Sequence, residues 1–303
     1  MKIAITGSTG FVGKHLGSRL ERDGHLIVPL GREYFNGSTD VLAKRLEGCD
    51  VVINLAGEPI SRRWTGDYKQ RMYNSRVQVT RKLVAAMAQL QTKPVTFIST
   101  SAIGAFKATG KYTEADTPNA DDFLGRLSRD WEEEAMQAND LGVRTLIFRF
   151  GLVLGPDGGM MKQLLPPFCL GLGGPVGDGK QAFSWVHIDD LVRAYVHALT
   201  SAEMDGVYHL CAPNPDTNAG FTRILGEVVH RPTWFRVPGL ALKLAFGEGA
   251  SVMTSGQRVV SNRLQQAGFD FCYPTLPLAL PNIVEQARKS NFVVGLSGVK
   301  AGC

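Results

Sequence analysis

The sequence predicts an α/β protein built on a doubly wound parallel sheet, with a smaller, non-contiguous lobe contributed by its C-terminal half. Three observations predict it. Strand-like and helix-like segments alternate from the first residue. The strand-like segments are continuous apolar runs, the pattern of strands covered by helices on both faces. The turn between the first strand and the first helix carries Gly7, Gly10 and Gly13. The length of 303 residues, at about 150 per domain, suits two domains or one large α/β unit.

In chain order, Ile3-Ala4-Ile5 is a short strand, and Val12, Leu16 and Leu20 fall at helical spacing before Gly24 closes the segment. Leu26-Ile27-Val28 reads as the second strand, 40–47 as a short helix and Val51-Val52-Ile53 as the third strand. Val79, Leu83, Met87 and Leu90 share one face of a long helix over 72–91. Val95-Thr96-Phe97-Ile98 is a strand, 121–139 a charged helix and Thr145-Leu146-Ile147-Phe148 another strand. Past Gly151 glycines and prolines cluster, with helices expected at 188–200 and 219–230 and a short strand at 207–211. The expected division is a nucleotide-binding domain over 1–150, a mixed segment over 151–287 that completes the sheet and forms the lobe, and a peripheral tail over 288–303. Ligands of such sheets sit beyond the carboxyl ends of the strands. Thr6–Gly13, Asn54–Gly57, Ser99–Ala102 and Arg149–Val153 should therefore converge on one cleft.

Hydrophobic residues make up 44% and charged ones 20%, which supports a sizeable core. The net charge is +5, from 33 basic and 28 acidic residues, and the tightest basic pair is Arg62-Arg63. That balance speaks against nucleic acid as a partner and leaves a small polyanionic ligand. The five cysteines are scattered and never form Cys-x-x-Cys, which suits a reducing compartment. No charged leader precedes an apolar stretch, and the apolar segments are too short to span a bilayer. A cytoplasmic protein without membrane contact is expected, with self-association left open.

Three glycines between a strand and a helix let a pyrophosphate approach backbone N–H groups at a helix N-terminus. This Rossmann-type turn points to a dinucleotide. The second strand ends at Leu30-Gly31-Arg32-Glu33, and a basic residue there accommodates a 2′-phosphate. Arg32 thus favours NADP(H), while Glu33 keeps NAD(H) open.

Thr6-Gly7-x-x-Gly10-x-x-Gly13, Asn54-Leu55-Ala56-Gly57, Ser99-Thr100-Ser101-Ala102 and Trp185-Val186-His187-Ile188-Asp189-Asp190 resemble the extended short-chain dehydrogenase/reductases. Asn74-Ser75-Arg76-Val77, Asp130-Trp131-Glu132 and Leu170-Gly171-Leu172-Gly173-Gly174-Pro175 are similar to their atypical YfcH-like epimerase branch, some of whose members carry a cell-division-inhibitor label. The resemblance covers roughly 1–282. It implies a cofactor site of Thr6, Gly7, Thr9, Gly10, Phe11, Val12, Gly13, Arg32, Leu55, Ala56, Gly57, Ser99 and Val153.

The Tyr-x-x-x-Lys proton relay of the wider family is missing: none of the seven tyrosines has Lys four residues on, and the helix that should hold the pair reads Ser128…Trp131-Glu132. Where relatives acting on nucleotide sugars hold the diphosphate, this chain has Leu152 and Phe183. Ser101 aligns with the hydroxyl that holds the substrate carbonyl. Lys111 and Tyr112, with Lys107, are candidates for a substitute proton donor. Lys69 is expected in a surface ion pair. Glu58, Ser101, Phe183 and Trp185 are expected to line the substrate pocket, with Leu164, Leu165, Phe168 and Phe246 as further walls. An Asp at 189–190 is expected to cap a helix rather than react. The histidines show no metal-binding spacing. The leading expectation is an oxidoreductase passing hydride between a nicotinamide and a small carbonyl or alcohol. A sugar epimerase using the same cofactor and a non-catalytic NADPH-sensing protein are the alternatives.

Overall fold

The computed structural model describes residues 1–290. The chain runs β1 (Lys2–Thr6), α1 (Phe11–Arg22), β2 (Leu26–Leu30), α2 (Thr39–Leu46), β3 (Val51–Asn54), α3 (Gly66–Tyr73), α4 (Val79–Gln89) and β4 (Thr96–Ala102). It continues through β5 (Lys111–Tyr112), α5 (Phe123–Met136), β6 (Arg144–Phe150), β7 (Leu152–Leu154), α6 (Met161–Cys169), β8 (Ala182–Phe183), β9 (Trp185–His187) and α7 (Ile188–Thr200). Then come β10 (Gly206–Leu210), β11 (Asp216–Thr217), α8 (Asn218–Val228), α9 (Gly239–Phe246), α10 (Ser251–Thr254), β12 (Arg258–Val259), α11 (Asn262–Gln266) and α12 (Leu276–Lys289). The last helix takes in 288 and 289, so the expected tail begins too early, and its residues 291–303 lie outside the described residues.

Six strands form one sheet in the order β10-β6-β4-β3-β1-β2, and every neighbouring pair is parallel. After β2 the chain crosses back over β1 to place β3 on its far side. The ends of β1 and β3, where Thr6 lies opposite Asn54, are therefore the switch point at which such sheets open a crevice.

Alternate residues of each strand feed two cores, as the pleat requires. Ile3, Ile5, Val51 and Ile53 pack with Leu16 and Leu20 of α1 and Leu191 of α7. Ala4, Val52, Phe97 and Ile147 face the other way, onto Leu42 of α2, Leu83 of α4 and Ala135 of α5. Both faces being apolar is why the strands read as unbroken hydrophobic runs. Fully buried Leu or Ile side chains of this kind contribute about 1.5–3 kcal/mol each over exposed ones.

The strand β10 joins the sheet from the later half of the chain, beside β6. Three two-stranded ladders, β7 with β9, β8 with β11 and β5 with β12, organise the remainder above the strand ends. Beneath them a third core packs Trp185, Phe183 and Phe168 against Phe221 and Ile283. Among the described residues no helix is long and apolar enough to cross a membrane.

The helix expected over 72–91 starts earlier, at Gly66, because the Thr65 side chain accepts from the N–H of Tyr68 (3.2 Å) and caps it. It then passes through one π turn, Asn74–Gln78, before resuming as α4. Such turns hold an extra residue and recur at functional sites.

Candidate functional site

The glycine turn is built for close approach. Gly7 has φ +64, and a Cβ on it would lie 2.7 Å from the carbonyl oxygen of Leu55. A Cβ on Gly13 would lie 2.7 Å from the Cα of Ser8, in the turn itself. Gly10 caps α1 and brings no side-chain acceptor. The first N–H groups of an α-helix have no partner within it. An exposed, uncapped helix start with a partial positive charge fits an anion such as a pyrophosphate. Thr9 stands exposed on the same turn.

Thr6 sits behind the turn as a fastener. Its hydroxyl donates to Asn54 Oδ1 (2.7 Å) and accepts from the N–H groups of Leu55 and Ala56 (3.0 Å each). Asn54 Nδ2 donates to Thr80 Oγ1 (2.8 Å), which also accepts from Trp131 Nε1 (2.9 Å). Ser99 Oγ lies 3.4 Å from Asn54 Nδ2, fully buried. Thr6 and Ser99 thus hold the loop 55–58 in place and do not line the cleft. Phe11 turns its ring away from the cleft, against Gly155, Gly158 and Gly159, and edge-on to His15 (5.4 Å). Its place in the site is its backbone at the helix start.

A cavity of about 370 Å³ opens beyond the strand ends, lined by Val12, Leu55, Ala56, Gly57, Glu58, Ser101, Leu152 and Val153 among others. Arg32 reaches Glu58 (3.1 Å), which lines the cavity, while its own side chain stays 88% exposed.

Ser101 is the centre of the polar chemistry. Its hydroxyl donates to Glu132 Oε1 (2.6 Å). Glu132 is gripped on both oxygens by Arg149, Nε to Oε1 and Nη2 to Oε2, each at 2.7 Å. Arg149 is 4% exposed and Glu132 11%, so the pair is shielded from water. Ser128 lines the cavity one turn before Glu132 on α5, and the two stand at the spacing of the missing Tyr-x-x-x-Lys pair. Behind Arg149 lies His209, whose Nδ1 faces the carbonyl oxygen of Val260 (3.0 Å). Burial, assisted by the Arg149 charge, lowers its pKa to about 4, which keeps the imidazole neutral.

Several expected residues fall elsewhere. Tyr112 stacks on Phe106 (4.6 Å) and donates its hydroxyl to the carbonyl oxygen of Thr109, away from the cavity. Lys111 is exposed beside Arg258 in the β5–β12 ladder, and Lys107 pairs with Asp121 (2.9 Å). None of these three lines the cavity. Phe183 and Trp185 point the wrong way. They alternate with Ala182 and Ser184, which do line it, so strand parity turns Phe183 onto Phe221 (4.3 Å) and Trp185 into the third core. Leu164, Leu165 and Phe168 pack with that same core, and Phe246 lies outside the cavity lining. Lys69 is in its surface pair, with Glu248.

The cap of α7 is His187 rather than an Asp: its Nδ1 accepts from the N–H of Asp189 (3.0 Å). Asp190 is fully buried and accepts from Arg193 (2.9 Å) and from the N–H groups of Cys272 (2.9 Å) and Tyr273 (2.8 Å), tying α7 to the C-terminal segment. Among the described residues no group of three or more His, Cys, Asp or Glu is placed to hold a metal. Sequence reasoning missed Glu132, Ser128, Arg76 and the stretch 251–257, whose Ser251, Val252, Ser255, Gly256 and Gln257 wall the cavity. The signal for Glu132 was its spacing of four from Ser128.

Residues 3–211 match the model of the NAD dependent epimerase/dehydratase family, and residues 237–283 match a domain of unknown function, DUF1731. The chain is similar to the epimerase family protein SDR39U1 homolog, chloroplastic, of Arabidopsis thaliana, with 37% identity over 94% of this chain and 87% of that protein. It is 34% identical to the epimerase family protein YfhF of Bacillus subtilis, over 95% of this chain and 99% of that one. Among solved structures, the human epimerase family protein SDR39U1 with NADPH matches with a TM-score of 0.87 and 32% identity, over 94% of this chain and 99% of that chain.

Proposed function

The chain belongs to the NAD dependent epimerase/dehydratase family, and from that premise we propose that it is an NADP(H)-dependent oxidoreductase acting on a small alcohol or carbonyl compound. Gly7, Gly10 and Gly13 hold the pyrophosphate at the start of α1, and Arg32 meets the 2′-phosphate. Leu55, Ala56, Gly57 and Val153 receive the adenosine-ribose and nicotinamide ends. NADPH in the similar human protein supports the choice of dinucleotide. When bound, the nicotinamide supplies or takes the hydride.

The observation that carries the reaction type is the direction of the Ser101 hydrogen bond. A carboxylate gripped by a guanidinium accepts and does not donate, so the Ser101 proton points at Glu132. Ser101 Oγ therefore offers only lone pairs to the cavity and receives a hydrogen bond from a substrate hydroxyl. This revises the expectation that it donates to a carbonyl. In oxidation the hydroxyl proton passes to Ser101 Oγ while the Ser101 proton passes to Glu132 Oε1, which ends as the neutral acid. Reduction starts from that neutral acid, with Glu132 donating to Ser101 Oγ as the Ser101 proton passes to the carbonyl oxygen. Arg149 fixes the carboxylate, and the apolar wall of Val12, Leu127 and Leu152 keeps water from competing.

Nucleotide-sugar epimerisation is disfavoured because Leu152 lines the cavity where a diphosphate would need donors and Phe183 is turned into the core. A panel of small alcohols with NADP+, followed by NADPH absorbance, tests the reading. Turnover in the wild type and its loss in Ser101→Ala is expected. No turnover on any alcohol or carbonyl, with tight cofactor binding retained, would refute it in favour of a non-catalytic NADPH-binding role.

A further inference from the structure

We propose that Arg76 is the anchor for a carboxylate on the substrate, so that the molecule turned over is a small hydroxy or oxo acid. The hydroxyl half of this assignment rests on the oxidoreductase reading above; the anion half rests on Arg76 itself.

Arg76 sits in the π turn Asn74–Gln78 and lines the same cavity as Ser101. Its guanidinium lies under the loop 55–58, where a Cβ on Gly57 would come within 2.9 Å of Cζ and Nη2, and 5.4 Å from the Trp131 ring. Nη2 donates to the carbonyl oxygen of Glu58 (2.9 Å), and Nη1 to the carbonyl oxygen of Met72 (3.3 Å) and to Ser75 Oγ (3.5 Å). These bonds fix the plane of the group, and every acceptor is neutral. Among the described residues no carboxylate pairs with Arg76 and none accepts from its Nε. The Nε–Nη2 edge is the one with which Arg149 grips Glu132 in this same protein. On Arg76 the Nε–H has no partner among the described residues, and Nη2 keeps a second hydrogen besides the one given to Glu58.

The charges around it strengthen the case. The other acids lining the cavity are engaged elsewhere: Glu58 with Arg32 (3.1 Å), and Asp122 with the N–H of Gly125 (2.9 Å), which it caps. No lysine lines the cavity, so Arg76 is its one cation among the described residues. Burial lowers its pKa to about 10, which leaves it charged at neutral pH. Glu58 acts on Arg76 electrostatically but is bonded to Arg32, so among the described residues no carboxylate bonds to this enclosed charge. A planar carboxylate reaching Nε and Nη2 would offset the cost of enclosing it with two parallel bonds. The volume of about 370 Å³ is shared with the cofactor contacts Val12, Ala56 and Val153, so the acid is one of few carbons.

The test is calorimetric and needs no turnover. Wild-type protein loaded with NADP+ is titrated with 2-hydroxy acids of two to four carbons and with their amides. At least one acid is expected to bind tenfold or more tighter than its amide. Arg76→Met should erase the difference, and Arg76→Lys should keep part of it. Equal binding of acids and amides, no binding of any acid, or an undiminished preference in Arg76→Met would each overturn the assignment. So would a preference for inorganic phosphate over every acid. The wild-type comparison decides the matter even where a variant fails to fold. Wild-type protein that binds no NADP(H) yet still prefers acids to amides would sink the oxidoreductase reading and leave the anion site standing.

Discussion

Replacing Glu132 by Gln tests the buried pair that orients Ser101. The variant keeps the shape of the side chain but removes its charge, and in either orientation its NH₂ group faces an N–H donor of Arg149, Nε at the place of Oε1 or Nη2 at the place of Oε2. Arg149, 4% exposed, then carries an uncompensated buried charge. Breaking such a pair from one side costs about 3–5 kcal/mol. At roughly 2–4 °C per kcal/mol, the lower figure corresponds to a fall in Tm of roughly 6–12 °C. Glu134→Gln is the control, because its partner Arg81 is 53% exposed and an ion pair of that kind contributes about 1 kcal/mol or less. Calorimetric unfolding of the two variants, together with alcohol oxidation by Glu132→Gln, reads both consequences. Activity should drop at least about tenfold as the Ser101 proton loses its acceptor. Equal Tm values for the two variants, or full activity in Glu132→Gln, would refute the reasoning.

Three further outcomes follow from the same geometry. Arg32→Ala should lower the ratio of NADPH to NADH affinity by roughly 10–100-fold, since a charge-assisted hydrogen bond is worth about 1.5–3 kcal/mol; an unchanged ratio in competitive titrations would remove Arg32 from the site. Gly13→Ala should destabilise the fold by about 1–3 kcal/mol, because its Cβ meets backbone atoms of the turn, whereas Gly10→Ala, with only Gly7 O at 3.1 Å, should keep its Tm and lose cofactor affinity. His209 titrates near pH 4 when folded and near its ordinary 6.5 when unfolded, so the unfolded chain takes up its proton first as pH falls. The stability it contributes is complete above about pH 6.5 and declines towards pH 4 by up to about 3 kcal/mol, a decline that denaturation between pH 7 and 4.5 should show and His209→Gln should flatten.

The sheet was legible because its signal is local and redundant. Runs such as Val51-Val52-Ile53 can be buried on both faces only between helices, and the glycine turn fixes where the ligand end lies. Val12, Leu55–Gly57, Thr100–Ala102 and Phe150–Val153 meet on one cleft, as the carboxyl ends of parallel strands require, while Thr6, Asn54 and Ser99 of the expected segments stand behind it. What was not legible depends on side-chain direction. Phe183 and Trp185 lie within one residue of the cavity wall, yet the parity of a two- or three-residue strand decides which residues face it, and composition carries no record of parity. Tyr112 was attractive as a phenol on a polar loop, but Phe106 draws its ring into a small apolar cluster. Glu132 meets its partner Arg149 17 residues away and Arg76 stands in a π turn, and neither placement is visible in helical periodicity. The capping of α7 by His187 shows the same limit: an Asp at the head of a helix looked sufficient, and the structure spends Asp190 on a tertiary tie instead.

The central claim, that the head of α1 and Arg32 hold a phosphorylated nicotinamide dinucleotide, is tested most directly by titrating cofactor-stripped protein with NADPH and NADH in a calorimeter. One NADPH per chain is predicted, bound at least about tenfold tighter than NADH, as a single charge-assisted phosphate contact implies. Protein that takes up neither nucleotide at millimolar concentration would contradict the account.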